Sequence, residues 1–371
     1  MKICVDIQAA VTQRAGVGRY TQALVTHLGP LAAGDQLSLF YFDFQRQGLS
    51  FAVPGARLRA VRWCPGRWAQ AAWRTVRWPP FDWFAGQANL YHFPNFTIPP
   101  LGRGRKLVTI HDLSFLRFPQ FAERRNLQYL SATIRRTVAA ADAVLTVSRF
   151  SAAEIHDLLH VDASRIFPIY NGVAEHLRPA DRGAVAALRR QYGLERPYLL
   201  TVSTLEPRKN IPFLLDVFER LAAFDGDLVI TGMRGWQYEP ILARLRASPL
   251  ADRIRYLDYV PEEDMPRLYS GAELFLSASH YEGFGMPPVE AMACGTPVVS
   301  STGGALPEVL GEAAVLIAGF EVERWAQAVT ALLGDAERRR ALAAAGRRQA
   351  APYTWEEAAR QTWAVYRQVA S

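Results

Sequence analysis

Apolar runs of strand length alternate with amphipathic stretches along almost the whole chain, and this alternation limits the possible folds more than any other feature. The first pair is KICVDI at 2–7 followed by RYTQALVTHL at 19–28, and the clearest later helix is RNLQYLSATIRRTVAAA at 125–141. Strands that alternate with helices form parallel sheets covered by helices on both faces. The sequence therefore predicts an α/β fold built from doubly wound, Rossmann-like sheets.

The alternation is interrupted once and then starts again. A chain of 371 residues is also long for a single hydrophobic core. We predict an N-terminal Rossmann-like domain at 1–172, a hinge at 173–195, a second Rossmann-like domain at 196–352 and a final amphipathic helix at 353–371. Two such domains leave a cleft between them, and ligands of open α/β sheets bind beyond the carboxyl ends of the strands.

Cysteine content and the N-terminus bear on the compartment. Cys4, Cys64 and Cys294 form neither a disulfide framework nor a metal-ligand spacing, which favours a reducing environment. The opening MKICVDIQAA is too polar and too short for a signal peptide, and no apolar run approaches the length of a membrane span. We therefore expect a cytoplasmic protein.

Positive charge is concentrated in the N-terminal half. Residues 1–172 contain 20 Lys and Arg against 10 Asp and Glu, whereas the remainder contains 22 against 25. Such a division predicts that the N-terminal half faces an anionic partner, which could be lipid headgroups, nucleic acid or a phosphorylated substrate.

Residues 44–81 contain no acidic residue but are rich in arginine and tryptophan. Arginine and tryptophan together suit a membrane headgroup interface, and they also suit single-stranded nucleic acid. Tryptophans packed in a core with solvated arginines are the structural alternative. The residues are Arg46, Arg57, Arg59, Arg62, Arg67, Arg74 and Arg77, with Trp63, Trp68, Trp73, Trp78 and Trp83.

Two carboxylates flank a run with two glycines and two prolines in HYEGFGMPPVEAMA, residues 280–293. Glycine and proline at these positions indicate a shaped loop that enters a helix. We expect Glu282 on the loop and Glu290 in the first turn of the helix. The helix dipole favours a glutamate in the first turn, so Glu290 has a structural explanation that Glu282 lacks.

Two further segments suggest anion binding. GVGRY at 16–20 opens a helix, so backbone N–H groups near Gly16 and Gly18 could bind a phosphate. Thr21 stands where a dinucleotide fingerprint requires its third glycine, which weakens a Rossmann cofactor interpretation. Arg208 and Lys209 follow the strand YLLTVST and precede a helix, where two cations could neutralise a phosphate.

A histidine and an acidic pair complete the candidates. His111 ends the strand KLVTI, and histidine titrates near neutrality, so it could handle a proton or donate a hydrogen bond. The segment DGD at 225–227 lies in a turn, where Asp and Gly are expected. We therefore predict no metal site.

Together these segments resemble the retaining glycosyltransferases of family 4, which have the GT-B fold of two Rossmann-like domains facing across a cleft. The strongest match is the E-x7-E motif formed by Glu282 and Glu290, and EPRKN, VSRFS and NGV appear in the expected order. The stretch YHFPNFTIPP with TIHDLSF is similar to a branch that contains many bacterial mannosyl- and rhamnosyltransferases.

The resemblance implies a role for each candidate residue. Glu290 would hold the ribose of a nucleotide sugar, and Glu282 the hydroxyls of the transferred sugar. Arg208 and Lys209 would stabilise the departing diphosphate, although many members carry a further arginine where this chain has Ser203 and Thr204. The remaining donor contacts would come from Gly16, Gly18, Tyr259, Val260, Gly283, Phe284 and Gly285, and His111 would face sugar and acceptor.

The resemblance also implies a function: metal-independent transfer of a hexosyl residue, preferably mannose from GDP-mannose, to a glycan or lipid-linked acceptor in cell-surface polysaccharide synthesis. It implies no cofactor besides the donor and no nucleic acid. Separately, the charge of residues 1–172, the Arg/Trp segment and the basic pairs Arg124–Arg125 and Arg135–Arg136 predict that the N-terminal domain docks on an anionic membrane, at the inner face of the plasma membrane. The last helix would pack on the first domain. A UDP-sugar or GDP-rhamnose donor, a nicotinamide dehydrogenase, a sugar-nucleotide epimerase and a non-catalytic anion-binding protein are the alternatives.

Overall fold

The computed structural model describes residues 1–13, 16–221 and 223–370. They form two compact units, and each contains one parallel sheet. The first unit comprises Met1–Arg117, Arg124–Gly172 and residues 354–370, and the second comprises Phe118–Glu123 and Val173–Tyr353. The α/β class predicted from the alternation of strands and helices is confirmed.

The sheet of the first unit has seven parallel strands in the order β3-β2-β1-β4-β5-β6-β7. Its central strands are apolar and buried on both faces, as expected for a sheet covered by helices. The strands are β1 (Lys2–Asp6), β2 (Gln36–Phe42), β3 (Ala56–Val61), β4 (Leu90–Phe93), β5 (Arg105–Ile110), β6 (Ala143–Thr146) and β7 (Ile166–Pro168). The helices are α1 (Gln8–Thr12), α2 (Val17–Leu28), α3 (Gly66–Thr75), α4 (Phe81–Ala85), α5 (Ser114–Arg117), α6 (Arg124–Ala140) and α7 (Arg149–Leu159).

The sheet of the second unit has six parallel strands in the order β10-β9-β8-β11-β12-β13. They are β8 (Tyr198–Val202), β9 (Asp227–Thr231), β10 (Ile254–Tyr256), β11 (Leu274–Ser277), β12 (Val298–Ser301) and β13 (Val315–Ile317). The helices are α8 (Arg182–Gln191), α9 (Ile211–Glu219), α10 (Glu239–Arg246), α11 (Met265–Ser270), α12 (Met286–Ala293), α13 (Leu306–Leu310), α14 (Val322–Gly334) and α15 (Ala336–Ala350). The strand order reverses between β8 and β11, which is where ligands of such sheets bind.

Two segments differ from the predicted division of the chain. Residues 182–191, inside the predicted hinge, form α8, which packs on α11 and buries Leu188. The Asp181 side chain caps this helix by accepting from the Ala184 N–H, a signal that the hinge interpretation overlooked. Phe118–Glu123, expected in the first domain, groups with the second unit because the Phe121 ring stacks on His280.

The last helix, α16 (Trp355–Ala370), lies in the first unit and packs against α2. Its Tyr366 hydroxyl lies 2.6 Å from Nδ1 of His92, whose Nε2 lies 2.8 Å from the Thr109 hydroxyl. All three side chains are buried, so the imidazole joins α16 to β4 and β5 of the sheet. No helix within the described residues is both long and apolar enough to cross a membrane.

Burial of His92, with a smaller contribution from His111, lowers the pKa of the imidazole to about 3. The unfolded chain therefore binds a proton between about pH 6.5 and pH 3 that the folded chain does not, so folding is weakened as the pH falls. We expect this part of the stability to decline by about 1.4 kcal/mol per pH unit in that window. His92→Gln keeps the capacity for hydrogen bonds but does not titrate, so it should remove this pH dependence of the stability.

The measurement is the thermal unfolding midpoint at pH 7, 6 and 5 for the wild type, His92→Gln and an exposed control, His160→Asn. Asparagine suits position 160 because the backbone there has a positive φ of 55°. The control should follow the wild type, whereas the His92 variant should lose less stability on acidification. Identical pH dependence of all three proteins would contradict the assignment.

Candidate functional site

The candidate site lies on the loops that follow β8 and β11, which are adjacent strands of the second sheet. The turn Pro207–Lys209, a short 3-10 helix, follows β8 and presents Arg208 and Lys209. The loop after β11 presents Glu282, as predicted from the glycine and proline content of that run. Because both loops leave the sheet at the point where the strand order reverses, three charged side chains that are distant in sequence meet there.

Glu282 is the centre of a largely buried ionic cluster. Lys209 Nζ lies 2.5 Å from Oε1, Arg208 Nη1 donates to Oε2 at 3.1 Å, and the Ser279 hydroxyl donates to Oε1 at 2.6 Å. Burial by itself would raise the pKa of the carboxyl, but the charges of Lys209 and Arg208 and the hydrogen bonds outweigh it and hold the pKa at about 2. Glu282 is therefore ionised at neutral pH.

Arg208 is shared between two carboxylates. Its Nη2 donates to Oε1 of Glu206 at 2.6 Å, and its Nη1 also donates to the carbonyl oxygen of Tyr281. The cluster thus holds two cations and two carboxylates, and its formal charge is zero. An anionic ligand would have to take hydrogen bonds that Glu206 and Glu282 now receive.

A small solvent-open recess lies beside this cluster. Ser203 lines it, and its Oγ is buried with no hydrogen-bond partner among the described residues. A buried hydroxyl without a partner indicates a group that a ligand would satisfy. The lining residues are Thr201, Val202, Ser203, Lys209, Ser277, Ala278, Ser279, Glu282, Pro287 and Pro288.

Glu290 is not in the first turn of its helix, contrary to the sequence expectation. It is the fifth residue of α12, is buried, and accepts a 2.8 Å hydrogen bond from the Tyr269 hydroxyl. The helix begins earlier than predicted, at Met286, because Gly285, with φ of 91°, ends the loop directly before it. A favourable helix start therefore does not explain Glu290, and burial of a carboxylate makes a binding role the better interpretation.

Four of the seven residues between the glutamates shape the turn. A side chain at Gly285 would collide with Leu306, and the backbone there already has a positive φ, so only glycine fits. The Phe284 side chain packs against Tyr353, so a ligand could use only its backbone. Pro287 and Pro288 carry no N–H group, and the start of α12 therefore offers an anion fewer donors than an ordinary helix does.

Tyr259 and Val260 lie on the loop between β10 and α11, outside the lining of the recess. Tyr259 is more than half exposed and Val260 is buried. Gly283 is buried on the loop between Glu282 and Gly285. Because Val260 is buried and Gly283 has no side chain, these two could contact a donor only through backbone groups.

The remaining predicted residues lie in the first unit. His111 follows β5 directly, its Nε2 lies 2.9 Å from the carbonyl oxygen of Pro94, and burial lowers its pKa. Gly16 precedes α2 with φ of 54° and has open space around it. Gly18 has a packing reason instead, because a side chain there would collide with the carbonyl oxygen of Gln13.

The sequence analysis missed three polar partners of the predicted residues, and a carboxyl elsewhere in the first unit. Ser279 and Tyr269 contact the predicted residues only through the fold, so the sequence carries no direct signal for them. Glu206, the partner of Arg208, lies in the EPRKN segment and could have been found. Asp6 could have been found, because it ends the first apolar run. Burial raises the pKa of its carboxyl to about 6, while the backbone N–H of Gln8 opposes this shift.

The DGD segment behaves as the turn that its composition predicts. Asp225 is exposed, and a side chain at Gly226 would collide with the carbonyl oxygen of Pro197. Asp227 begins β9 and lies 3.6 Å from Arg255. Over residues 1–13, 16–221 and 223–370, no group of three or more His, Cys, Asp or Glu side chains is arranged to hold a metal ion.

Known proteins match both halves of the chain. The family model "Glycosyltransferase Family 4" matches residues 14–177, and "Glycosyl transferases group 1" matches residues 186–349. The O-antigen chain mannosyltransferase B of Escherichia coli is 34% identical over 282 residues, which are 75% of this chain and 74% of that protein.

Solved structures share the fold across nearly the whole chain. The sucrose-phosphate synthase of Thermosynechococcus elongatus has a TM-score of 0.79 at 21% identity and covers 99% of this chain and 98% of its own. HepE of Anabaena, solved with UDP-glucose, has a TM-score of 0.74 at 18% identity, and the match covers 99% of this chain and 100% of HepE.

The ionic cluster makes a testable contribution to stability. The carboxyl pKa of about 2, against 4.5 for an ordinary glutamate, corresponds to about 3 kcal/mol at pH 7. A depressed carboxyl pKa stabilises the folded chain above pH 4.5, and this contribution is lost as the pH falls towards 2. We expect Glu282→Gln to lower the unfolding midpoint at pH 7 and to differ less from the wild type at pH 3.

Glu323→Gln is the matched control, because Glu323 forms an exposed pair with Arg220 and such pairs contribute little. It should change the midpoint by less than Glu282→Gln at pH 7. A Glu282 variant as stable as the control, or one whose deficit grows on acidification, would show that the cluster does not stabilise the fold.

Proposed function

This chain belongs to glycosyltransferase family 4, and on that premise we propose that it transfers mannose from GDP-mannose, with retention of configuration, to a glycan or lipid-linked acceptor in cell-surface polysaccharide synthesis. The observation that carries the proposal is the largely buried cluster of Glu282, Arg208 and Lys209 at the strand-order reversal of the second sheet. A relative with 34% identity is an O-antigen mannosyltransferase, which supports the sugar and the acceptor class. HepE was solved with UDP-glucose, so UDP-linked sugars are the alternative donors.

Donor binding would exchange partners within the cluster. The diphosphate is a stronger anion than a carboxylate, so Lys209 and Arg208 would turn part of their hydrogen bonds to it. Glu282 would then have acceptor positions for the hydroxyls of the sugar. Ser203, whose buried Oγ has no partner in the described part of the chain, would donate to the same anion. It occupies part of the segment where many family members carry an additional arginine.

The same two cations would supply the main catalytic effect. Charge develops on the diphosphate as the sugar leaves, and positioned cations in a site of low water content stabilise that charge strongly. Because Lys209 and Arg208 are already held by Glu206 and Glu282, they need little reorganisation during the reaction. We propose that they make a metal ion unnecessary for the departure of the nucleotide.

Glu290 would bind the ribose. It is buried, and the Tyr269 hydroxyl fixes its orientation from α11. Two carboxylate oxygens match the two adjacent hydroxyls of a ribose, so this contact would recognise the nucleoside part of either GDP or UDP. The backbone near Tyr259 and Val260 would contact the base.

His111 would contact the sugar or the acceptor as a neutral ring. Burial lowers its pKa, and a carbonyl oxygen can only accept, so the hydrogen bond to Pro94 requires the proton on Nε2. Nδ1 is then unprotonated and can accept a hydrogen bond from a hydroxyl.

We propose a peripheral location on the cytoplasmic face of the plasma membrane, where a lipid-linked acceptor is held.

The deciding experiment is nucleotide release from a panel of GDP- and UDP-linked sugars, with and without chelator. We expect release from GDP-mannose that chelator leaves unchanged. Thermal shift provides a second measurement, because a ligand that binds the folded chain raises its unfolding midpoint. Activity that is lost in chelator and restored by magnesium or manganese would disprove metal independence, and stabilisation by NAD alone would favour a dehydrogenase.

Lys209→Ala should lower the turnover number by about 100-fold or more, because it removes a cation that acts mainly in the transition state. Lys106→Ala is the control, since Lys106 lies on β5 of the first unit and has the same charge. Its turnover should stay near that of the wild type. The comparison is made with GDP-mannose under saturating conditions, and equal small losses in both variants would refute the proposed role.

Glu290→Gln should weaken binding of free GDP by about 10- to 150-fold, the usual cost of losing one hydrogen bond to a charged group. Glu282→Gln should affect turnover more than affinity for GDP, because its proposed partners are sugar hydroxyls that GDP lacks. Titration calorimetry with GDP and UDP measures both effects. Unchanged affinity in the Glu290 variant would remove the ribose assignment.

A further inference from the structure

The first unit exposes four of the five tryptophans between positions 63 and 83. Trp63, Trp68 and Trp78 are each 64% exposed, and Trp83 is 59% exposed. Tryptophan is usually well buried on average, because it offers a large apolar surface. Trp73 is the exception: its ring lies against Phe42 and Phe81, and its indole N–H donates to the carbonyl oxygen of Pro79. The structural alternative of a tryptophan core therefore holds for Trp73 alone.

Three of the exposed indoles lie side by side, and together with Trp68 of the same segment we call them the aromatic patch, defined as Trp63, Trp68, Trp78 and Trp83. The Trp83 ring lies 5.8 Å from that of Trp63 and 5.8 Å from that of Trp78. Trp68 projects from α3, in the same segment between β3 and β4. Val76, 70% exposed, adds apolar area to this segment.

The surroundings of the patch are basic. All seven arginines between positions 44 and 81 are exposed, and in the described part of the chain only Arg62 forms an ion pair, with Asp43. Arg74 lies over the Tyr129 ring at 4.3 Å, which brings α3 beside α6. The exposed pair Arg135 and Arg136 on α6 extends the basic surface.

Three kinds of partner could cover such a patch, and the geometry favours one. Single-stranded nucleic acid stacks on free aromatic faces, yet the Trp63 ring is stacked on Phe84 and the indoles contact one another. A protein partner would need acidic groups over the whole basic rim. A membrane interface meets both conditions, since indole rings settle at the headgroup level and anionic headgroups attract arginine.

We infer that the aromatic patch enters the headgroup region of an anionic bilayer, with Arg67 and Arg77 against the lipid phosphates. Amphipathic segments with a basic rim and exposed indoles lie in the interface rather than across it. Membrane binding would bring the enzyme to a lipid-linked acceptor, and in this respect the inference rests on the proposed function. Vesicle binding is measured without sugar transfer, so the two proposals fail separately.

The test is flotation of the full chain with vesicles of phosphatidylcholine alone or enriched in phosphatidylglycerol, at low and at physiological salt. We expect binding to the anionic vesicles that weakens with salt. Trp68→Ser combined with Trp83→Ser should reduce binding by about tenfold or more. Arg67→Gln combined with Arg77→Gln should reduce it by about 30-fold, because each arginine near an anionic surface contributes on the order of a fivefold gain.

Arg340→Gln combined with Arg348→Gln is the matched control, because both arginines are exposed on α15 and the change in net charge is the same. This control should bind vesicles as the wild type does. Circular dichroism and the unfolding midpoint verify that the tryptophan variant is folded, and its release of nucleotide from GDP-mannose should be unchanged.

Several outcomes would overturn the inference. They are absence of binding to either vesicle at low salt, equal binding of the tryptophan variant and the wild type, and equal losses in the two arginine variants. Light scattering and a titration with single-stranded DNA complete the test. Self-association or DNA binding that the tryptophan variant loses, without vesicle binding, would assign the patch to a second copy of the chain or to nucleic acid.

Discussion

The pairing of Glu282 with Lys209 and Arg208 is the interaction on which the rest of the site depends. Each of the three charged side chains is exposed by no more than about one-seventh of its surface. Removing such charges from water costs free energy, and that cost is offset only when each charge has a partner of opposite sign. The partners come from the loops after β8 and β11, so the order of strands in the second sheet has to bring those loops together. The fold and the electrostatics of the site are therefore one constraint.

Neutrality of this cluster has a chemical consequence. A site with two unpaired cations would bind any anion, including inorganic phosphate, whereas one already satisfied by Glu206 and Glu282 favours only a ligand that offers more than it displaces. Under the proposed function a nucleotide sugar would do so, since its diphosphate would replace the carboxylates while its hydroxyls would give Glu282 new donors. The carboxylates would then act against simple anions and for the complete donor.

Much of this site could be predicted from the sequence because its main residues follow apolar strands directly. Glu282 and Lys209 lie a few residues past strand ends, and parallel strands direct such residues to one edge of a sheet. The partners Ser279 and Tyr269 could not be predicted, because their contacts depend on side-chain packing between elements. The position of Glu290 was wrong by about one helical turn, since helix starts are set by local backbone geometry at Gly285.

The sequence also could not predict which tryptophans are exposed, for a different physical reason. A spacing of five residues rotates a helix by 140°, which excludes one apolar stripe but leaves open which ring is buried. The structure shows that α3 ends at Thr75, so Trp78 and Trp83 lie beyond it, whereas Trp73 lies within α3 and packs against Phe42 and Phe81. Trp63 and Trp83 each contact Phe84, yet all four exposed indoles leave more than half of their surface open to water. The membrane interface inferred above would cover that apolar surface, and the exposed arginines of the segment would favour anionic headgroups.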